Sequence, residues 1–298
     1  MKRIIFAFII LSSALFACTI SSTPTAPTVT TAPVVTTAPV VTTAPATTEP
    51  PTATEPPTAT QAPVATQPPV PQTNTTCNEL KLFLDPALAS GFNCKTVPEV
   101  SAQGGPGFDV SPAYTELTLT GYVLFGRFFE PKIAVYPVAQ FITLLPDAIP
   151  AKVTALQALI SGGPTGTESL PILPNFNAMQ EFFAQYKVAP FVNGGGIRFL
   201  TQYAQFVDPI NNHELFYAYQ GLTSDGKYWV SAILPVSNPI LPVDGNNPPN
   251  GQTPDQFTAN FKAYLADLSN QLNAQPPESY SPTLTMLDAL VTSIVVQP

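Results

Sequence analysis

Histidine and tryptophan each occur once, and charged side chains make up only 10% of the chain. These scarcities exclude several chemistries. A single imidazole, His213, is too little for a multi-histidine zinc centre. Any Ser-His-Asp or Cys-His arrangement must use it, and no Gly-x-Ser-x-Gly elbow precedes a helical stretch. Between the Asn211-Asn212 turn and Glu214, it reads as a solvated residue at a strand end. Lys and Arg total 11 against 19 Asp and Glu, a net charge of −8, and beyond the first three residues no basic cluster occurs. The electrostatic footprint of a nucleic-acid binder is therefore missing. Binding to anionic lipid through a basic patch is disfavoured for the same reason.

What the chain does have begins at its first residue. Met1-Lys2-Arg3 carries two positive charges, residues 4–16 are almost wholly apolar, and Leu15-Phe16-Ala17-Cys18 follows. A basic n-region, a short apolar h-region and a small residue before the cut form a secretory signal, residues 1–17. The cysteine directly after it resembles a bacterial lipobox. That resemblance implies that Cys18 is acylated by diacylglycerol, becomes the mature N-terminus and anchors the protein to a membrane outside the cytoplasm. Of three cysteines, Cys77 and Cys94 would then remain, and an exported compartment favours a disulfide between them. The competing reading, a reactive thiol pair, lacks Cys-x-x-Cys spacing and has only Lys95 beside it.

Residues 18–76 read as a linker. From Thr30 the chain runs in sixes, with Thr at 30, 36, 42, 48, 54, 60 and 66 and Pro at 33, 39, 45, 51, 57, 63 and 69. Six residues are two turns of polyproline II, so each repeated side chain returns to the same side of a rod. Without an aromatic residue, and with only Glu49 and Glu55 charged, this segment is expected to be a disordered Thr/Pro stalk. Fully extended at ~3.1 Å per residue, it spans ~180 Å. Asn74-Thr75-Thr76 is also a formal N-glycosylation sequon, expected to be unused in a bacterial lipoprotein.

Residues 77–298 are long enough for an independently folding domain. Strict alternation from Tyr114 to Phe125 predicts a half-buried strand, and 132–136 predicts its hairpin partner. Residues 151–161 have helical composition and stop at Gly162-Gly163-Pro164; 176–186 reads as a short amphipathic helix. Alternation over 196–206, 214–222 and 228–236, joined by short turns, predicts an antiparallel meander. Its last two strands are apolar on both faces, so they are expected to be central and covered on both sides. Thr253-Pro254-Asp255-Gln256 is a capping box that opens a long helix, and Ser281-Pro282 opens another that passes into a strand near 294–296. The expected class is α+β, an antiparallel sheet with a central meander and helices mainly on one face. The meander, long helix and closing helix-strand loosely resemble the PsbP-like architecture, seen in extrinsic photosystem proteins and some lipoproteins.

The candidate chemistry is thin. Gly194-Gly195-Gly196 leads into a strand and not a helix, which sets aside a phosphate loop in favour of a loop or bulge at the sheet entrance. Asp208, Asn211, Asn212 and Glu214 cluster oxygen donors in one turn, as Asp244, Asn246 and Asn247 do in the next long loop, but neither follows EF-hand spacing and turn chemistry accounts for both. Most of the aromatic residues should be core. Tyr217, Tyr219, Tyr228 and Trp229 crowd the hairpin around Asp225-Gly226 and are the candidates for stacking on a sugar or peptide. No catalytic residue and no cofactor motif is identified. The expectation is a membrane-anchored, extracytoplasmic lipoprotein that presents a ligand-binding or structural domain to an envelope glycan or protein. The alternative is a hydrolase of envelope glycan or peptide using carboxylates such as Asp208 or Glu214.

Overall fold

The computed structural model describes residues 72–101, 107–164 and 169–297. The signal segment 1–17, Cys18 and the repeat through residue 71 lie outside them. The fold begins earlier than the linker boundary at residue 76 suggests, because strand β1 is Thr75–Cys77. Just before it, the Asn74 carboxamide donates to the Leu84 carbonyl (2.9 Å) and accepts from the Leu84 N–H (2.8 Å). The sequon asparagine is thus a structural fastener.

In chain order there follow β2 (Leu80–Leu82), β3 (Gly91–Val97), β4 (Tyr114–Thr120), β5 (Lys132–Pro137), α1 (Val138–Leu144) and α2 (Ile149–Gly162). Then come β6 (Met179–Gln180), β7 (Ala184–Phe191), β8 (Gly194–Thr201), β9 (Tyr203–Ala204), β10 (Phe216–Thr223) and β11 (Tyr228–Pro235). The chain closes with α3 (Pro254–Asn273), α4 (Leu284–Thr292) and β12 (Val295–Val296). Seven strands form one antiparallel sheet in the order β3-β4-β5-β11-β10-β8-β7, and β1-β2-β12 form a small second sheet. The large sheet is two meanders joined side by side at the β5–β11 pair. The crossover from β5 to β7 carries α1 and α2.

The α+β class stands, but the helices are divided between the two faces of the sheet. Tyr217, Tyr219, Val230, Ala232 and Leu234 point into a core shared with Leu268 and Leu272 of α3 and Leu284, Leu287, Leu290 and Val291 of α4. Phe199, Phe216, Ala218, Trp229 and Ile233 point the other way, against Val138 and Phe141 of α1 and Ile149 and Leu156 of α2. All eight residues of β10 are buried, as expected for a strand apolar on both faces. Such a strand needs a cover on each side, so one helical layer could not suffice.

Three further expectations fail for tertiary reasons. Residues 176–186 are not a helix: β6 and the start of β7 occupy that stretch, because pairing with β9 and β8 outweighs the local helical pattern. The Gly-rich segment is not an entry loop, since Gly194 to Gly196 are the first residues of β8 itself. A Cβ on Gly196 would sit 2.6 Å from the Tyr219 ring and 2.5 Å from the Gln220 carbonyl oxygen. Glycine is there because an aromatic ring lies across the strand. The strand from Tyr114 also ends at Thr120, short of Phe125, because Gly121 turns out of the sheet at φ 60°.

Cys77 and Cys94 are disulfide-bonded, joining the small sheet to the edge strand β3. Beside this joint, Glu116 is buried in β4 and accepts ion pairs from Lys95 (2.8 Å) and Lys132 (3.4 Å). Burial by itself would raise its carboxyl. The hydrogen bond from Lys95 and the charges of Lys132 and Lys95 outweigh that and hold it below the usual carboxylate range.

Two stability predictions follow from this corner of the sheet. Replacing both Cys77 and Cys94 by Ala reopens a 17-residue separation and should cost about 3 kcal/mol in urea denaturation relative to the oxidised protein. For Glu116, a folded-state value below the unfolded one (about 4.3) means its contribution is complete well above that pH and is lost as pH falls through the folded value. The stability gap between wild type and Glu116→Gln should therefore be widest near neutrality and narrow towards pH 3, measured by urea midpoints across that range.

Candidate functional site

The hairpin aromatics do not form an exposed platform. Tyr217, Tyr219 and Trp229 are at most 1% exposed, and only Tyr228 is half-buried. Each inner polar tip is already engaged. Tyr217 Oη donates to Asp288 Oδ1 (3.0 Å), Tyr219 Oη donates to the Ala189 carbonyl (2.9 Å), and Trp229 Nε1 donates to Gln220 Oε1 (2.7 Å). Burial pushes both tyrosine hydroxyls well above their ordinary range, so they stay protonated. The stacking expectation is corrected for these three residues: the hairpin they flank is the centre of the sheet, with helices on both sides. Tyr228 borders a small recess of about 240 Å³ beside Asn193 and Asp225.

The oxygen-rich turn at 208–214 is a brace. Asn211 Nδ2 donates to Glu214 Oε2 and to the Pro209 carbonyl, both at 3.0 Å, while its Oδ1 accepts from the His213 and Glu214 N–H groups. Asn212 Nδ2 donates to the carbonyls of Asn238 and Leu241, and its Oδ1 accepts from the Asn238 N–H. Donated N–H groups in these positions serve the turn and the loop beyond it, and are the wrong polarity for a cation. Among the described residues no group of three or more His, Cys, Asp or Glu side chains converges to hold a metal. His213 is half-buried, with Nδ1 3.2 Å from the Gly126 carbonyl.

Bracing that loop produces a cleft of about 680 Å³ that none of the singled-out aromatic residues lines. One wall is α3. Its start is fixed by a complete capping box, in which Thr253 Oγ1 accepts from the Gln256 N–H and Gln256 Oε1 accepts from the Thr253 N–H. With that phase set, Leu268 and Leu272 face the sheet, and Phe257 is buried beside the rings of Phe261 and Tyr264. Asn260, Tyr264, Asp267 and Gln271, spaced by four, three and four residues, form a polar stripe along the cleft. The other wall is the 240–252 loop with Asn247, Asn250 and Gln252, and the rings of Pro209, Pro242 and Pro249 complete the lining. Tyr264 Oη accepts from the Ile210 N–H (3.0 Å), which locks the helix to the floor. Burial raises its phenol, so it is neutral at physiological pH.

This lining has a definite chemistry. Asn247, Asn250, Gln252, Asn260 and Gln271 make no side-chain hydrogen bond among the described residues, and Asp267 is the one charged group that borders the cleft. Each carboxamide offers two donors and an acceptor, which matches a ligand bearing many hydroxyl groups. Asp208 and Glu214, the carboxylates considered for hydrolysis, line neither this cleft nor the other large one. Burial and the nearby charge of Asp208 raise the carboxyl of Glu181, so Asp208 has a carboxylate neighbour that the sequence did not point out.

The sequence pattern contained part of this site. The capping box that opens α3 was legible, and the polar stripe at 260, 264, 267 and 271 follows from the helical period it starts. Of the opposing loop, the oxygen-donor cluster Asp244, Asn246 and Asn247 stood out in the sequence and only Asn247 of these lines the cleft; the loop's position was not legible, because it depends on Asn212. No family model, curated protein or solved structure matches the chain, so the site has to be read from its own chemistry. No helix among the described residues is long and apolar enough to cross a membrane.

Proposed function

We propose that this protein is a lipid-anchored binding protein of the cell envelope whose domain takes a neutral, hydroxyl-rich glycan in the cleft between α3 and the 240–252 loop. The observation that carries this reading is the convergence of five carboxamides, otherwise without side-chain partners among the described residues, on a cleft bordered by a single charge. Proline rings and the Tyr264 ring supply the apolar patches on which a sugar face rests. The lipobox-like segment ending at Cys18 supports the anchor, and the Thr/Pro repeat supports a spacer that gives the domain reach.

The hydrolase alternative has one observation in its favour, the raised carboxyl of Glu181 beside Asp208. Neither acid lines the cleft beside α3 or the one beside α2. Non-catalytic binding is therefore the better-supported reading.

Titration calorimetry with neutral glucan and N-acetylglucosamine oligomers separates the two. We expect saturable binding with no release of new reducing ends. Asn260→Ala combined with Gln271→Ala should remove two hydrogen bonds worth about 2 kcal/mol together, roughly 30-fold in Kd, with thermal stability unchanged. Failure of every oligomer to bind, or an unaltered Kd in the double variant, would sink the glycan reading, and chain cleavage would replace it by hydrolysis. The anchor is tested separately: Cys18→Ala should move the protein from the membrane fraction to the soluble one. Retention on membranes would mean that Cys18 is not the attachment point.

A further inference from the structure

A second cleft, of about 600 Å³, lies on the opposite face of the sheet, between α2, the 169–180 segment and Tyr203. Its walls are mostly apolar, with Leu170, Ile172, Phe176 and Met179 prominent, and Met179 is 74% exposed at the mouth. One cation enters it. Lys152, in the first turns of α2, is half-buried, and its Nζ donates to the Ile172 carbonyl (2.8 Å) and to Asn175 Oδ1 (2.7 Å). Both acceptors are neutral. Among the described residues no carboxylate lies within ion-pair distance of this ammonium, as is also true of Lys81, Arg127 and Lys262, whereas Lys95, Lys132, Lys187, Arg198 and Lys227 each have one. The first turn of α2 also contains no acid, so its positive end adds to the lysine charge.

A half-buried cation with two of its three N–H groups satisfied by neutral oxygens has capacity for one anionic acceptor. Apolar walls around it select what the anion must be attached to. We infer that this cleft is a binding site for an amphiphilic monocarboxylate, with the carboxylate against Lys152 Nζ and the hydrocarbon along Leu170, Ile172 and Phe176. The site lies in a different cleft from the proposed glycan groove and does not depend on it. Burial lowers the Lys152 ammonium to about 8, which keeps it predominantly protonated at neutral pH and lets a bound anion restore it. Tyr203 is the one other titratable group lining the cleft among the described residues, and burial holds its phenol protonated.

The test is calorimetric titration of the full chain with decanoate, with decan-1-ol as the uncharged control. Decanoate should bind saturably at pH 6.5 and at least about tenfold more tightly than the alcohol, since a hydrogen bond to a charged group is lost in the control. The preference should fade as pH rises past 8. Lys152→Met should abolish it. Because that change also removes the strap to Ile172 and Asn175, Ala155→Glu provides a second variant: it places a like charge at the exposed rim of the cleft without touching the strap. Ala155→Glu should weaken decanoate and leave decanol binding and thermal stability unchanged. Glu168 lies outside the described residues, and Glu168→Gln should leave decanoate affinity unchanged. Equal affinity for acid and alcohol, indifference to Ala155→Glu, or a tenfold gain in Glu168→Gln would each overturn the assignment, the last because the chain would then supply its own counter-ion.

Discussion

The structure depends most on the fact that β10 and β11 are buried on both faces. Side chains alternate across a strand, so apolar residues at consecutive positions send hydrophobic surface in both directions and both directions must be covered. Phe216 and Ala218 require one helical layer, Tyr217 and Tyr219 another. The chain meets this by sending α1 and α2 across one face before the second meander and α3 and α4 across the other after it. The small sheet follows from the same route. The chain returns beneath the starting segment, where β12 pairs with β2.

Covering a strand twice also buries polar groups, and several of them have become fixed points for something outside the sheet. Gln220, fully buried, accepts from the Leu173 N–H and Trp229 Nε1 and donates to Ser231 Oγ and the Leu173 carbonyl. That pairing holds the 169–175 segment, which forms a wall of the Lys152 cleft. On the other face the buried Arg198, joined by the exposed Lys187, pairs with Asp288 and so fastens α4. At the bulge in β7, Gln185 adopts φ 53° and its carboxamide donates to the carbonyls of Leu272 and Gln275, closing the C-terminal end of α3. Buried groups left unpaired would destabilise the fold, so these contacts are both a requirement of the core and the means by which the two clefts are positioned.

Legibility from sequence followed the range of the interactions. The capping box at Thr253 is a local pattern, and it is present in the structure. The hairpin of β4 with β5, the β8-β10-β11 meander and the Cys77–Cys94 bond were also readable, because turns and cysteine arithmetic act over short separations. The 176–186 stretch was not, since Phe176 packs with Tyr203 and Phe216 and the backbone beyond it pairs with β8 and β9. Neither cleft was visible either. The cleft beside α3 needs Asn212 to hold a loop some thirty residues further along, and the cleft beside Lys152 needs Gln220 to hold a segment 47 residues away.

By itself the sequence determined β4, β5, β8, β10 and β11, the helices α2, α3 and α4 and the disulfide, but not the edge strands β3 and β7 or helix α1, and it sets the expectation of a secreted, anchored protein with a repeated spacer. Those properties rest on period, composition and neighbouring residues, which the chain states directly. The tertiary structure decided that Tyr217, Tyr219 and Trp229 are core and not a ligand platform, that helices lie on both faces, and where carboxamides and a lysine collect around empty space. Burial and convergence are properties of how distant segments pack, and a one-dimensional pattern specifies them only through the sum of contacts made on folding.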